Sequence, residues 1–152
     1  MASSKAAGLA VKAGYENVYV FRGGLPEWIG AGYSTVTLET LPKVDIPTIS
    51  SKDLKAMLDS GEDFVLLDIR IPVDVKKFWI DSPLRLVLSM NDIPTRYSEI
   101  PKGKKIVVID KVGKRAALAS RYLSAKGFKD IAKVSGGMNH WFKSGMPTKL
   151  NK

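Results

Sequence analysis

The chain has 152 residues, 45% of them apolar and 26% charged, the balance of one soluble globular domain or one domain plus part of another. Lys and Arg number 24 against 15 Asp and Glu, a formal net charge of +9, but the cations are dispersed and read as solubility and steering charge, with no nucleic-acid partner expected. There is no cysteine and one histidine, which excludes a disulfide framework, a cysteine-ligated metal site, a thiolate nucleophile and a histidine metal cluster.

No apolar run is longer than four residues, as in Phe64–Leu67 and Ile106–Ile109, whereas a membrane-spanning helix needs about 20. The opening MASSKAAGLA is too short an apolar stretch for a secretory signal. No membrane partner is expected, and the compartment is left open.

In chain order, the first feature is a repeat. Residues 14–33, GYENVYVFRGGLPEWIGAGY, align without a gap on residues 127–146, GFKDIAKVSGGMNHWFKSGM, at an offset of 113 that places Gly14 on Gly127. Gly23, Gly24, Trp28 and Gly32 then meet Gly136, Gly137, Trp141 and Gly145. The offset is a domain length and not a solenoid period. Residues 1–33 are therefore expected to be the closing remnant of a first domain: helix, strand at Asn17 to Phe21, GG turn, helix. One strand cannot form a sheet unaided, so this remnant is expected to dock on other structure or to self-associate. Residues 34–48, broken by Pro42 and Pro47, are expected to be a linker, and 49–149 a complete domain.

That domain opens on a helix. Ser50 and Asp53 have capping-box spacing, Leu54, Met57 and Leu58 make one apolar face, and Gly61 is the stop. Strands and helices then alternate: a strand at FVLLD (64–68), a short helix over Val73 to Phe78, a strand at RLVL (85–88), a helical turn in NDIPTRYSEI, and a strand in KKIVVID (104–110). A helix follows over Ala116 to Lys126 with an apolar stripe at Leu118, Ala119, Tyr122 and Leu123, then a strand at DIAKV (130–134) and a closing helix around Asn139 to Lys143. Short apolar strands alternating with helices predict an α/β fold, a parallel sheet flanked by helices. In such sheets ligands meet the carboxyl ends of the strands, which singles out the loops after Asp68 and Ile109.

The second loop is Asp110, Lys111, Val112, Gly113, Lys114 and Arg115, between a strand and a helix start. Backbone N–H groups and the helix dipole converge there, Gly113 tolerates a left-handed backbone, and the cations line the rim. The result is an anion cradle, to be weighed against a plain strand–helix connection with a solvated basic loop.

Strand, six-residue loop ending in Arg, helix, and then GG-x-x-x-W-x-x-x-G resembles a rhodanese domain. The opening D-x-R is matched by Asp68-Ile69-Arg70, and the closing motif by Gly136, Gly137, Trp141, Gly145 and Pro147. Residues 49–147 resemble a full copy, and the arrangement is similar to tandem rhodaneses. The resemblance implies a cysteine at the first loop position, whose thiolate takes sulfur from a donor such as thiosulfate and passes it to an acceptor such as cyanide. Here that position is Asp110, and a carboxylate forms no persulfide. The family's Gly-His-Ile-Pro-Gly-Ala stretch is replaced by residues 78–83, Phe-Trp-Ile-Asp-Ser-Pro, and Val112 and Ala116 replace polar loop residues.

The sequence therefore reads as a catalytically inactive rhodanese-like domain, a structural, regulatory or anion-binding module that needs no cofactor or metal. Asp110 is expected to fill the cradle itself, with Asp68 and Arg70 in support. The partners expected are an anion at the loop, a catalytic rhodanese domain, or a second chain engaged through residues 1–33. The alternative is part of a thiosulfate sulfurtransferase whose active cysteine lies outside this chain. A phosphatase-like activity fits less well, because related phosphatases also use a cysteine and a longer loop. His140 reads as a surface turn residue, since no Gly-x-Ser-x-Gly elbow accompanies it. Trp28 and Trp141 read as core anchors.

Overall fold

The computed structural model describes residues 2–33, 41 and 43–151. The chain divides into two units between residues 37 and 38.

The first unit contains two helices, α1 (Ala2–Lys12) and α2 (Gly24–Gly30). The strand expected over Asn17 to Phe21 is not formed: the segment has no ladder partner in this unit. A strand exists by hydrogen bonding to a neighbour, and none of the described residues 2–33 supplies one. Trp28 is likewise not a buried anchor. It is 41% exposed and packs edge-on to Phe21 at 6.0 Å and against Tyr33 at 4.7 Å.

The second unit is built on five parallel strands: β1 (Thr48–Ile49), β2 (Phe64–Asp68), β4 (Arg85–Val87), β5 (Lys105–Ile109) and β6 (Ile131–Val134). Their order across the sheet is β1-β6-β5-β2-β4. β5 is the central strand, and β2 pairs beside it in register from Phe64 opposite Lys105 to Asp68 opposite Ile109. Every residue of β2 and all of β5 after Lys105 are buried, as continuous apolar strands covered on both faces must be. Alternation along the strands divides the core in two. Val65, Leu67, Ile106 and Val108 face α6 (Ala116–Ala125) through Ala116, Ala119 and Leu123. Phe64, Leu66, Val107 and Ile109 face α3 (Ser51–Ser60) and α7 (Gly137–Lys143) through Leu54, Met138 and Trp141.

Helix α3 starts on the expected capping box: Ser50 accepts from the Asp53 N–H while the Asp53 carboxylate accepts from Ser50, and Gly61 closes the helix in the left-handed conformation. These bonds hold the Asp53 carboxyl below its usual range.

Four details differ from the sequence reading. The helix expected over 73–78 is one turn, α4 (Pro72–Val75). Phe78–Trp79 instead forms β3, antiparallel to β7 (Lys149–Leu150). Helix α7 begins two residues early, at Gly137. The segment expected as a linker enters the fold before residue 49, with Ile46 buried and Thr48 opposite Lys133 in the sheet. Its residues 34–40 and 42 lie outside those described. The helical turn expected within residues 91–100 is formed over 93–99, as α5 (Ile93–Arg96) and a 3-10 turn at Tyr97–Glu99.

Candidate functional site

The sheet brings the carboxyl ends of β2 and β5 side by side, so the loops after Asp68 and Ile109 adjoin. Asp110 is the first residue after β5 and is 2% exposed. Its carboxylate turns back into its own loop. Oδ1 accepts the Gly113 N–H, and Oδ2 accepts the N–H groups of Arg115 at 2.6 Å and Ala116 at 3.3 Å. Ala116 opens α6 and Arg115 is its N-cap, at the helix end whose N–H groups have no partner within the helix. Among the described residues no cation pairs with Asp110.

Two glycines make this geometry accessible. Gly113 has φ +84°, and a Cβ there would lie 2.8 Å from the Gly136 nitrogen. Gly137 has φ +57°, and a Cβ there would lie 2.5 Å from the Asp110 carbonyl oxygen. The GG turn is thus the wall behind the loop. The loop carbonyls of Asp110 and Lys111 are held by the first turn of α7, accepting from Met138 N–H at 2.8 Å and Asn139 N–H at 3.0 Å. Trp141, fully buried, fixes that helix and donates its indole N–H to the Pro147 carbonyl at 3.0 Å.

Asp68 ends β2 and is also buried. Arg70 grips it with Nε at 2.8 Å from Oδ1 and Nη2 at 2.7 Å from Oδ2. The same guanidinium reaches the carbonyls of Asp74 at 3.3 Å and Phe78 at 2.9 Å. It therefore ties strand end, α4 and β3 together. Sequence reasoning missed a second cation: Arg85, on β4, places Nη1 3.7 Å from Asp68 Oδ2 and lies over the Trp79 ring. Burial lowers the Arg85 guanidinium from its usual value, with Asp68 opposing and Arg70 reinforcing that shift. Its place in a strand was readable, but that strand's neighbour and register were not.

Lys111 does not face the cradle. Its ammonium reaches Asp74 at 3.1 Å and so pins the loop to α4. Burial raises the Asp74 carboxyl, but the Lys111 hydrogen bond and the charges of Lys111 and Lys77 outweigh it, leaving the group below its usual value. Val112, Lys114 and Arg115 form an exposed rim. His140 is exposed on α7, and its Nδ1 lies 3.1 Å from Ser51 Oγ and 3.3 Å from Ser144 Oγ.

Comparison with known proteins identifies the family of the second unit. Residues 50–144 match the family described as Rhodanese-like domain, and the chain belongs to that family. A protein named Sulfurtransferase from Allochromatium vinosum is 36% identical over 99 residues, covering 65% of this chain and 91% of that protein. A rhodanese-related protein from Thermoplasma volcanium has a similar structure, with a TM-score of 0.61 and 26% identity over 68% of this chain and 98% of its own. A rhodanese-like domain protein from Staphylococcus aureus gives a TM-score of 0.58 at 26% identity, over 63% of this chain and 91% of its own.

Proposed function

We propose that the second unit is a rhodanese-like domain without sulfur-transfer chemistry of its own, its loop closed by an internal anion, and that it serves a structural or regulatory role beside a catalytic rhodanese domain. The carrying observation is the Asp110 carboxylate, buried and accepting three backbone N–H groups at the position where the resemblance puts a thiolate. Carboxylate oxygens form no persulfide, and the chain has no cysteine to take the role. The same geometry narrows the anion-binding reading. An external anion must displace a carboxylate that is already tethered in place and hydrogen-bonded.

The name of the Allochromatium relative, Sulfurtransferase, supports sulfur transfer as a second reading; with no cysteine in this sequence, the thiol in that reading is supplied from outside it.

Sulfur transfer from thiosulfate to cyanide, measured on this chain and on Asp110→Cys, tests the proposal. The wild-type chain is expected to be blank. Asp110→Cys is expected to turn over, because the cradle donors are already aimed at that position. Turnover by the wild-type chain would overturn the proposal.

A further inference from the structure

Residues 2–33 present an apolar groove of about 680 Å³ between α1, the 18–21 segment and α2. Its lining includes Ala6, Ala10, Val18, Phe21, Leu25 and Trp28. At the offset of 113 that aligns the two copies of the GG motif, these residues fall on Ala119, Leu123, Ile131, Val134, Met138 and Trp141. Each of those six is buried in the core of the second unit, none more than 4% exposed. Secondary structure follows the same offset. Helix α2 spans seven residues, Gly24–Gly30, and its counterpart is α7, Gly137–Lys143. Helix α1, Ala2–Lys12, falls on α6 with one extra residue at its start.

We infer that residues 2–33 are the closing segment of a second rhodanese-like fold, and that their groove takes a polypeptide equivalent to residues 44–113 of this chain. The second unit shows what lies against each counterpart. β6 is held between β5 and β1, with Ile131 opposite Ile106 and Lys133 opposite Thr48. The segment 18–21 therefore needs a parallel strand on each side. At the helix start, the Met138 N–H donates to the carbonyl of the first loop residue. Leu25 is its counterpart and keeps that donor. The counterpart of Asn139 is Pro26, which has no N–H, so the second loop bond is not repeated.

A second copy of this chain is a poorer occupant. Its β5 already has β6 and β2 as neighbours, so residues 18–21 would enter beside β5 only by expelling β6 together with the buried Ile131 and Val134. A first-half rhodanese-like polypeptide instead offers the position vacant.

The test compares the 152-residue chain with the same chain extended at its N-terminus by a copy of its residues 44–113. The copied Gly113 then precedes Met1, as Gly113 precedes Lys114. In the 152-residue chain the amides of Val18 to Phe21 are expected to exchange freely with solvent deuterium. In the extended chain they are expected to slow by roughly 100-fold or more, as sheet amides do. Gly24→Val in the extended chain is expected to restore fast exchange, because a Cβ at the counterpart Gly137 collides with the loop carbonyl. Fast exchange in the extended chain, or protection that survives Gly24→Val, would overturn the inference. So would protection already present in a dimer of the 152-residue chain, seen by sedimentation, which would make a second copy the occupant.

Discussion

Asp68 and Asp110 stand at the carboxyl ends of neighbouring parallel strands, both buried, and are satisfied by different means. Asp68 is met by side-chain charge: a bidentate Arg70 and, at longer range, Arg85. Asp110 is met by backbone dipoles, the N–H groups of its own loop and of the start of α6. The first arrangement spends two guanidiniums to hold strand end, α4 and β3 in place. The second needs no cation, but it needs a loop that bends back over the carboxylate, which Gly113 and the GG turn permit. A buried negative charge can thus be stabilised by counter-charges or by oriented amides, and the two differ in what removal of the carboxylate leaves behind: buried cations in the first case, neutral N–H groups in the second.

The comparison predicts unequal costs on removing each carboxylate. Asp68→Asn leaves Arg70 buried with its bidentate partner gone, and the loss of unfolding free energy is expected to be about 3–5 kcal/mol by chemical denaturation. Asp110→Ala leaves neutral N–H groups, which water or an anion can reach once the carboxylate is gone, and about 1–3 kcal/mol is expected. The reverse order would break the distinction between charge-held and amide-held carboxylates. The smallest effect is expected at Lys111→Ala, which frees the loop from α4 at a cost below about 1 kcal/mol. This last effect depends on pH. Because the folded-state Asp74 carboxyl titrates below its usual value, the Lys111 contact contributes in full above the ordinary carboxylate range and is lost as pH falls through the lowered value. The difference in Tm between wild type and Lys111→Ala is expected at neutral pH and should vanish in acid. A difference that persists there would assign the contact to packing and not to charge.

Much of this was legible in the sequence, for physical reasons that can be named. The strands Phe64–Asp68 and Lys105–Ile109 are apolar runs that only a doubly covered parallel sheet accommodates. The Ser50–Asp53 cap is a local device whose spacing fixes its geometry. Asp68 and Arg70 are two residues apart, so their pairing needed little tertiary information. What the sequence concealed was set by distant contacts. Arg85 reaches Asp68 through strand register. Phe78–Trp79 carries no helix-breaking residue, yet becomes a strand because the chain's end returns to pair with it. The two copies of GG-x-x-x-W show the same limit. Helix bounds are repeated at the motif offset, while burial is not: Trp141 is fully buried and Trp28 is 41% exposed. The pattern specifies the helix, and its neighbours decide whether the ring is covered.

The central claim is that Asp110 occupies the anion cradle of its own loop. Its most direct test is the thermal unfolding of wild type and Asp110→Ala against increasing phosphate or thiosulfate, with chloride at matched ionic strength as the reference. The wild-type midpoint should follow ionic strength only, because its cradle is full. The Asp110→Ala midpoint should rise with the oxyanion by several degrees at concentrations well above its dissociation constant. An equal rise in both proteins, or none in Asp110→Ala while it remains folded, would contradict the claim.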